Sequence, residues 1–293
     1  MPKSDWLPFQ LGTVGDVSDT LAPWLLPDGY GRPALAALLR EGSVVTEAGR
    51  FAARRGATRR ARRRTPVTGR AAARVAEPVL LVPGFLAGDW TLTAMAAELR
   101  ARGFRTYRSR IHANVGCTVD SALALEARLE QLAERRDARV QIVGHSLGGM
   151  IARGLAARRP DLVAGIVTLG SPMRAPAAHH ALLTRGVRML NRLADAGVPG
   201  LMGADCVAGE CAHLSFTESQ EPLRGDVAMT NIYSRRDGIV DPRACIDPAG
   251  RAVEVRASHI GMAFDPRVID AVTEALLRQS SAYAAPVTAA ETA

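Results

Sequence analysis

Cysteine is scarce: Cys117, Cys206, Cys211 and Cys245 are the four in 293 residues. That number excludes a small scaffold stapled by disulfides, so a hydrophobic core must supply the stability. The spacing shows no zinc pattern with nearby histidines, and no metal is expected. Cys206 and Cys211 flank a Val-Ala-Gly-Glu turn, placed to bridge each other or Cys245 in an oxidising compartment; reduced thiols fit the sequence equally well. Long apolar runs are also missing. No stretch approaches the ~20 residues that cross a bilayer, and the opening Met1-Pro2-Lys3-Ser4-Asp5-Trp6 lacks a basic segment followed by an apolar one. The expectation is a cytoplasmic protein. Acidic residues are absent between Arg50 and Arg74, where ten arginines fall, so the net charge of +8 is local and the rest of the chain is close to neutral. Aromatics are few, at 4%, and Phe51 is the one aromatic among those arginines, which leaves little for base stacking and makes nucleic acid a poor partner.

What is present divides the chain in two. Residues 1–75 read as an N-terminal appendage, with aromatics and prolines at the start, a helical stretch near Pro33 to Arg40, and then the arginines. Like-charge repulsion leaves that basic segment a solvated helix or a flexible linker, and the sharper reading is an electrostatic arm for an anionic membrane through Arg50 to Arg74. Residues 76–280 alternate short apolar runs with amphipathic stretches. Strands are expected at Val79 to Val82, Phe104 to Tyr107, Val140 to Val143, Gly165 to Leu169, Met229 to Tyr233 and Val253 to Val255. Helices are expected at Thr91 to Arg102, Val119 to Arg135, Leu147 to Arg158 and Pro266 to Gln279, the last with Val268, Ile269, Val272, Leu276 and Leu277 on one face. This pattern implies an α/β fold, a mostly parallel central sheet with helices on both faces. The alternation lapses over about 172–226, where Leu, Met and Ala dominate, and this insertion suits a cap over the catalytic face. Residues 281–293 are small and polar and read as a flexible tail.

One segment carries most of the chemistry. Val140 to Val143 is a buried-type strand that breaks into Gly144-His145-Ser146-Leu147-Gly148 and then into a helix. A serine hydroxyl becomes a useful nucleophile when held at a sharp exposed corner beside a base, and such a corner admits only small residues two positions either side. The plainer alternative is a tight turn with Ser146 as helix N-cap. Such a serine needs a histidine, and the histidine a carboxylate. His145 is too close in sequence to turn onto Ser146, His179, His180 and His213 fall in the insertion, and His112 precedes the elbow. His259, after the last strand and before the last helix, is the expected base. Asp237 follows the fifth strand, with Gly238 to allow the turn that aims it; Asp241, before Pro242, is the reserve. Backbone donors for an oxyanion are expected at Leu147 and at Phe85, after Pro83-Gly84, with Leu86 behind.

Together these residues resemble the α/β-hydrolase superfamily, and within it the bacterial lipases and esterases of the triacylglycerol-lipase type. The resemblance covers about residues 77–279 and includes the chain order Ser, Asp, His. Pro83-Gly84 stand where many lipases of this type carry His-Gly. The resemblance implies an α/β-hydrolase fold, an acyl-enzyme on Ser146, a proton shuttle at His259 oriented by Asp237, a small-molecule ester or lipid substrate, and no cofactor. The Leu-, Met- and Ala-rich insertion points to an apolar acyl chain. Thioester hydrolysis or acyl transfer uses the same triad, and a non-catalytic binding protein or one recruited through its basic arm is the alternative of another class.

Overall fold

The computed structural model describes residues 21–64 and 77–284. The expectations for residues 1–20, 65–76 and 285–293, Arg70 and Arg74 among them, lie outside the described residues.

Six strands form one sheet in the order β2-β1-β3-β4-β5-β6, with every neighbouring pair parallel. They are β1 (Pro78–Val82), β2 (Arg105–Arg108), β3 (Val140–His145), β4 (Val163–Leu169), β5 (Ala228–Tyr233) and β6 (Arg251–Glu254). β1, β3 and β4 are buried along their whole length, as apolar strands covered on both faces must be. The pleat sends alternate residues to opposite layers. Val79 and Leu81 of β1 join the core beneath α2 (Thr93–Ala101) and α8 (Pro266–Ala284). Leu80 and Val82 join the core beneath α3 (Thr118–Arg136) and α4 (Leu147–Arg158). Two helical layers thus cover the sheet, as the alternating sequence implied.

Several boundaries differ from the sequence reading. β2 begins at Arg105, because Phe104 turns into the core, 3% exposed, instead of pairing. β6 lies two residues early, at Arg251, since its register against Thr230 to Tyr233 fixes it there. On α8 the face of Val268, Ile269, Val272 and Leu276 is buried, but Leu277 is 47% exposed, one position past the apolar stripe. The same helix runs on to Ala284, into the stretch read as tail. The helical stretch near Pro33 is a 3-10 helix at Leu35–Ser43 that continues directly into α1 (Val44–Arg64).

The larger departure concerns the N-terminal stretch, which packs onto the sheet domain. Phe51 packs against the α2/α8 core, and Leu21 and Leu25 form a small cluster with Val187, Met202 and Val207. The reason is charge pairing as well as apolar contact. Arg54 makes a two-pronged ion pair with Asp270 at 2.8 Å on each arm, and Arg50 reaches Asp265 at 3.2 Å. Two of the ten arginines are therefore paired with acids of the sheet domain.

Within 172–226 the chain forms α5 (Ala181–Asp195), α6 (Asp205–Ala208) and α7 (Glu210–Gln220). No helix among the described residues is long and apolar enough to cross a membrane.

Candidate active site

In this sheet β1 and β3 lie side by side although the chain runs next from β1 to β2 on one side and from β3 to β4 on the other. Loops leaving the carboxyl ends of two such strands diverge and open a crevice, the usual place for a ligand in open α/β sheets. Ser146 follows β3 and Phe85 follows β1, so both stand at that crevice. Asp237 leaves the end of β5, and His259 follows β6.

Ser146 has φ +51° and ψ −122°, a backbone conformation that costs a non-glycine residue on the order of 1–3 kcal/mol. Its amide is held by the Leu169 carbonyl at 2.8 Å, and its carbonyl accepts from Gly149 at 2.9 Å at the start of α4. The flanking glycines are required by contact: a Cβ on Gly144 would stand 2.5 Å from the Gly149 Cα, and one on Gly148 would strike the carbonyl oxygens of Val82 and Pro83. The corner therefore closes only where both positions lack a side chain.

His259 Nδ1 and Asp237 Oδ2 are 2.7 Å apart, with side chains 6% and 1% exposed. The other Asp237 oxygen accepts the amides of Ile239 and Val240, each at 2.8 Å. These two residues hold the carboxylate with their backbones. Asp241 is engaged elsewhere: it caps the 3-10 helix at Pro242–Cys245, pairs with the Arg243 guanidinium at 2.6 Å, and accepts the Gly31 amide at 3.1 Å. Geometry thus pairs Asp237, and not Asp241, with the histidine. Burial works against a charged His259, but the Asp237 carboxylate and the nearby Glu41 outweigh it and hold its pKa above the ordinary histidine value.

His145 does something the sequence did not disclose. Its Nε2 lies 3.0 Å from the His259 carbonyl oxygen, and the two rings sit 4.9 Å apart. Burial, with His259 as neighbour, pushes His145 down to about 3, so it stays neutral and donates to that carbonyl. His179 lines the neighbouring cavity and is likewise pushed down, to about 4, chiefly by burial.

The Leu147 amide, expected as an oxyanion donor, is the first of α4, where helical geometry offers no partner four residues back. The amide of Leu86, the reserve donor, is taken by the Asn114 carbonyl at 3.1 Å.

Two residues of the N-terminal stretch also reach this site. Glu41 accepts the amides of Gly238 at 2.8 Å, His259 at 2.9 Å and Ile260 at 3.1 Å, bracing the acid and base loops together. Glu47, 1% exposed, accepts the Ser258 amide at 2.8 Å and its hydroxyl at 2.5 Å. Nothing near them in the sequence marks either glutamate. Glu47 also accepts the Ser43 hydroxyl at 3.0 Å.

Two cavities meet at Ser146. One, about 130 Å³, is walled by Leu21, Leu25, Val187, Met202 and Phe216. The other, about 330 Å³, is lined by Trp90, His145, His259, Ile260 and Phe264. Phe85 and Leu183 border both. All four cysteines are free thiols, so neither bridge considered from the sequence is present.

The architecture is shared with known proteins. The mature lipase BlEst2 of Bacillus licheniformis superposes with a TM-score of 0.55 at 14% identity, covering 72% of this chain and 95% of that one. A soluble variant of the monoglyceride lipase of Saccharomyces cerevisiae, solved with a substrate analogue, superposes with a TM-score of 0.53 at 14% identity, over 72% and 89%. The chain has the α/β-hydrolase fold. Residues 118–197 match the family described as "PGAP1-like alpha/beta domain", a span that includes Ser146 and all of α4. No curated protein sequence matches the chain.

Proposed function

We propose that the protein is a serine hydrolase of carboxylic esters with an apolar acyl chain, working through an acyl-enzyme on Ser146. The observation that carries this reading is the buried Asp237–His259 pair, whose histidine borders the same cavity as a serine held at a strained strand-to-helix corner. Ser146 Oγ attacks the ester carbonyl while His259 Nε2 accepts its proton. Negative charge on the carbonyl oxygen falls between the amides of Phe85 and Leu147. The imidazolium, stabilised by Asp237, then protonates the departing alkoxide; water repeats the cycle in reverse and releases the acid. The apolar cavity takes the acyl chain, and the cavity bordered by His259 takes the alcohol, since that is the group the histidine must protonate. Residues 172–226 serve as the cap over the acyl side. The exposed arginines of α1, Arg55 and Arg60 among them, face an anionic membrane.

The test is hydrolysis of p-nitrophenyl esters from acetate to palmitate by the full chain and by Ser146→Ala. Turnover that drops to below a few per cent in the variant, with unchanged circular dichroism, is the expected result. Equal turnover by both proteins, or failure of the native chain to hydrolyse any ester or to react with an organophosphonate, refutes the reading.

A further inference from the structure

Three of the four cysteines converge although they come from separate segments. Cys117 is the N-cap of α3, Cys206 lies in α6, and Cys211 lies in the first turn of α7. Their sulfurs all lie within 4.8 Å of one another, and all three residues are half-buried. Asp205 borders the cluster, accepting the amides of Glu210 at 2.8 Å and Cys211 at 3.3 Å. Cys245 is remote from this group, buried with its sulfur 3.7 Å from the Asp241 carbonyl.

We propose that Cys117, Cys206 and Cys211 form a site for one thiophilic divalent cation of the zinc type, with water at the fourth position. Three sulfurs bound tetrahedrally at ~2.3 Å stand ~3.8 Å apart, so the thiols need move by less than about 1 Å to close on an ion. Three thiols brought together from three segments are also one more than a disulfide uses. Binding takes the cysteines as thiolates and releases their protons to solvent, so affinity rises with pH.

The ion has a place to act. Cys206 and Val207 line the apolar cavity that ends at Ser146, and so does Thr118, next to Cys117. A metal held by all three sulfurs ties α6 and α7 to the start of α3 and fixes that cavity's width. This inference does not depend on the ester-hydrolase reading, and its readouts do not use activity.

The full chain, reduced with a phosphine and stripped with chelator, is titrated anaerobically with cobalt(II) and then with zinc(II). One cobalt per chain with thiolate charge-transfer and tetrahedral d–d absorption, bleached by one equivalent of zinc, is expected, together with a zinc-dependent rise in Tm. Cys117→Ser and Cys211→Ser each lower zinc affinity by more than about 100-fold, beyond the loss usual for partners that only orient a ligand. Cys245→Ser leaves affinity unchanged. Cys117→His restores stoichiometric binding with shifted d–d bands, which separates ligand loss from misfolding. Absence of cobalt absorption in the native chain, or affinity unaffected by Cys117→Ser, overturns the proposal. So does recovery of a disulfide among the three together with failure of the reduced chain to take up cobalt.

Discussion

His259 is subject to opposing influences, and their balance sets the pH range of any chemistry it performs. Burial favours the neutral ring; Asp237 and Glu41 favour the charged one and prevail. A general base must be neutral to act, so the acidic limb of kcat/KM is expected above the ordinary histidine pKa. Glu41→Gln keeps an acceptor for the three amides but removes a negative charge. The histidine is then easier to deprotonate, and the limb moves to lower pH; a pH–rate profile shows this, and an unmoved limb or one shifted upward refutes the coupling. Asp237→Asn presents the wrong tautomer-fixing partner and is expected to reduce kcat by roughly 10³–10⁴-fold. Asp241→Asn, whose carboxylate serves Arg243 and Gly31, is expected to leave kcat within a few-fold of native. The reverse order in single-turnover rates would exchange the two roles. Of this site, the corner at Ser146 and the pairing of His259 with Asp237 were legible because each of the three residues follows a recognisable strand. His145 was not, since its contact with the His259 carbonyl joins loops after β3 and β6 that no local pattern relates.

At the scale of elements, all six strands were placed within about two residues; for β1, β3 and β4, apolar throughout because both faces are covered, the expected range lies inside the observed one, while the half-exposed or exposed edge strands β2 and β6 were shifted along the chain. Periodicity is also blind to charge that tertiary packing buries. Arg153 points inward from α4 and meets Asp247 beyond β5 at 3.0 Å, with side chains 3% and 6% exposed. Asp247 further accepts the Ala249 amide at 2.8 Å, and its carbonyl accepts from Asn231 at 2.8 Å, so the loop between β5 and β6 is moored there to the elbow helix. Removing one partner of a buried pair strands the other charge. Asp247→Ala is therefore expected to cost about 3–5 kcal/mol in urea unfolding, while the double change Arg153→Met with Asp247→Leu recovers most of it. A single-variant loss below about 1 kcal/mol would mean that water reaches Arg153.

At the scale of the whole molecule, α1 has two sides with different work. Its inward side holds the active-site loops through Glu47, and is itself held by Arg50 on Asp265 and Arg54 on Asp270. Its outward side presents Arg55 and Arg60 to solvent. The sequence offered only a block of like charge, because nothing local distinguishes an arginine that meets an acid more than two hundred residues later from one that meets water. A separation of 89 residues, from Cys117 to Cys206, likewise hid the third thiol beside Cys206 and Cys211. The two sides are separable by charge reversal. Arg54→Glu faces Asp270 with a like charge and adds to Glu98, which already acts on this position. The helix loosens, and Tm falls by roughly 2–4 °C, the response of a domain of this size to about 1 kcal/mol. Because Glu47 rides on α1 and anchors Ser258 beside the base, kcat falls with Tm while KM changes little. Arg55→Glu combined with Arg60→Glu leaves Tm and turnover of a soluble ester at native values and weakens sedimentation with phosphatidylserine vesicles, most at low salt, where screening is least. If Arg54→Glu alters vesicle binding and spares kcat, while the outer pair does the opposite, then the helix faces are assigned the wrong way round.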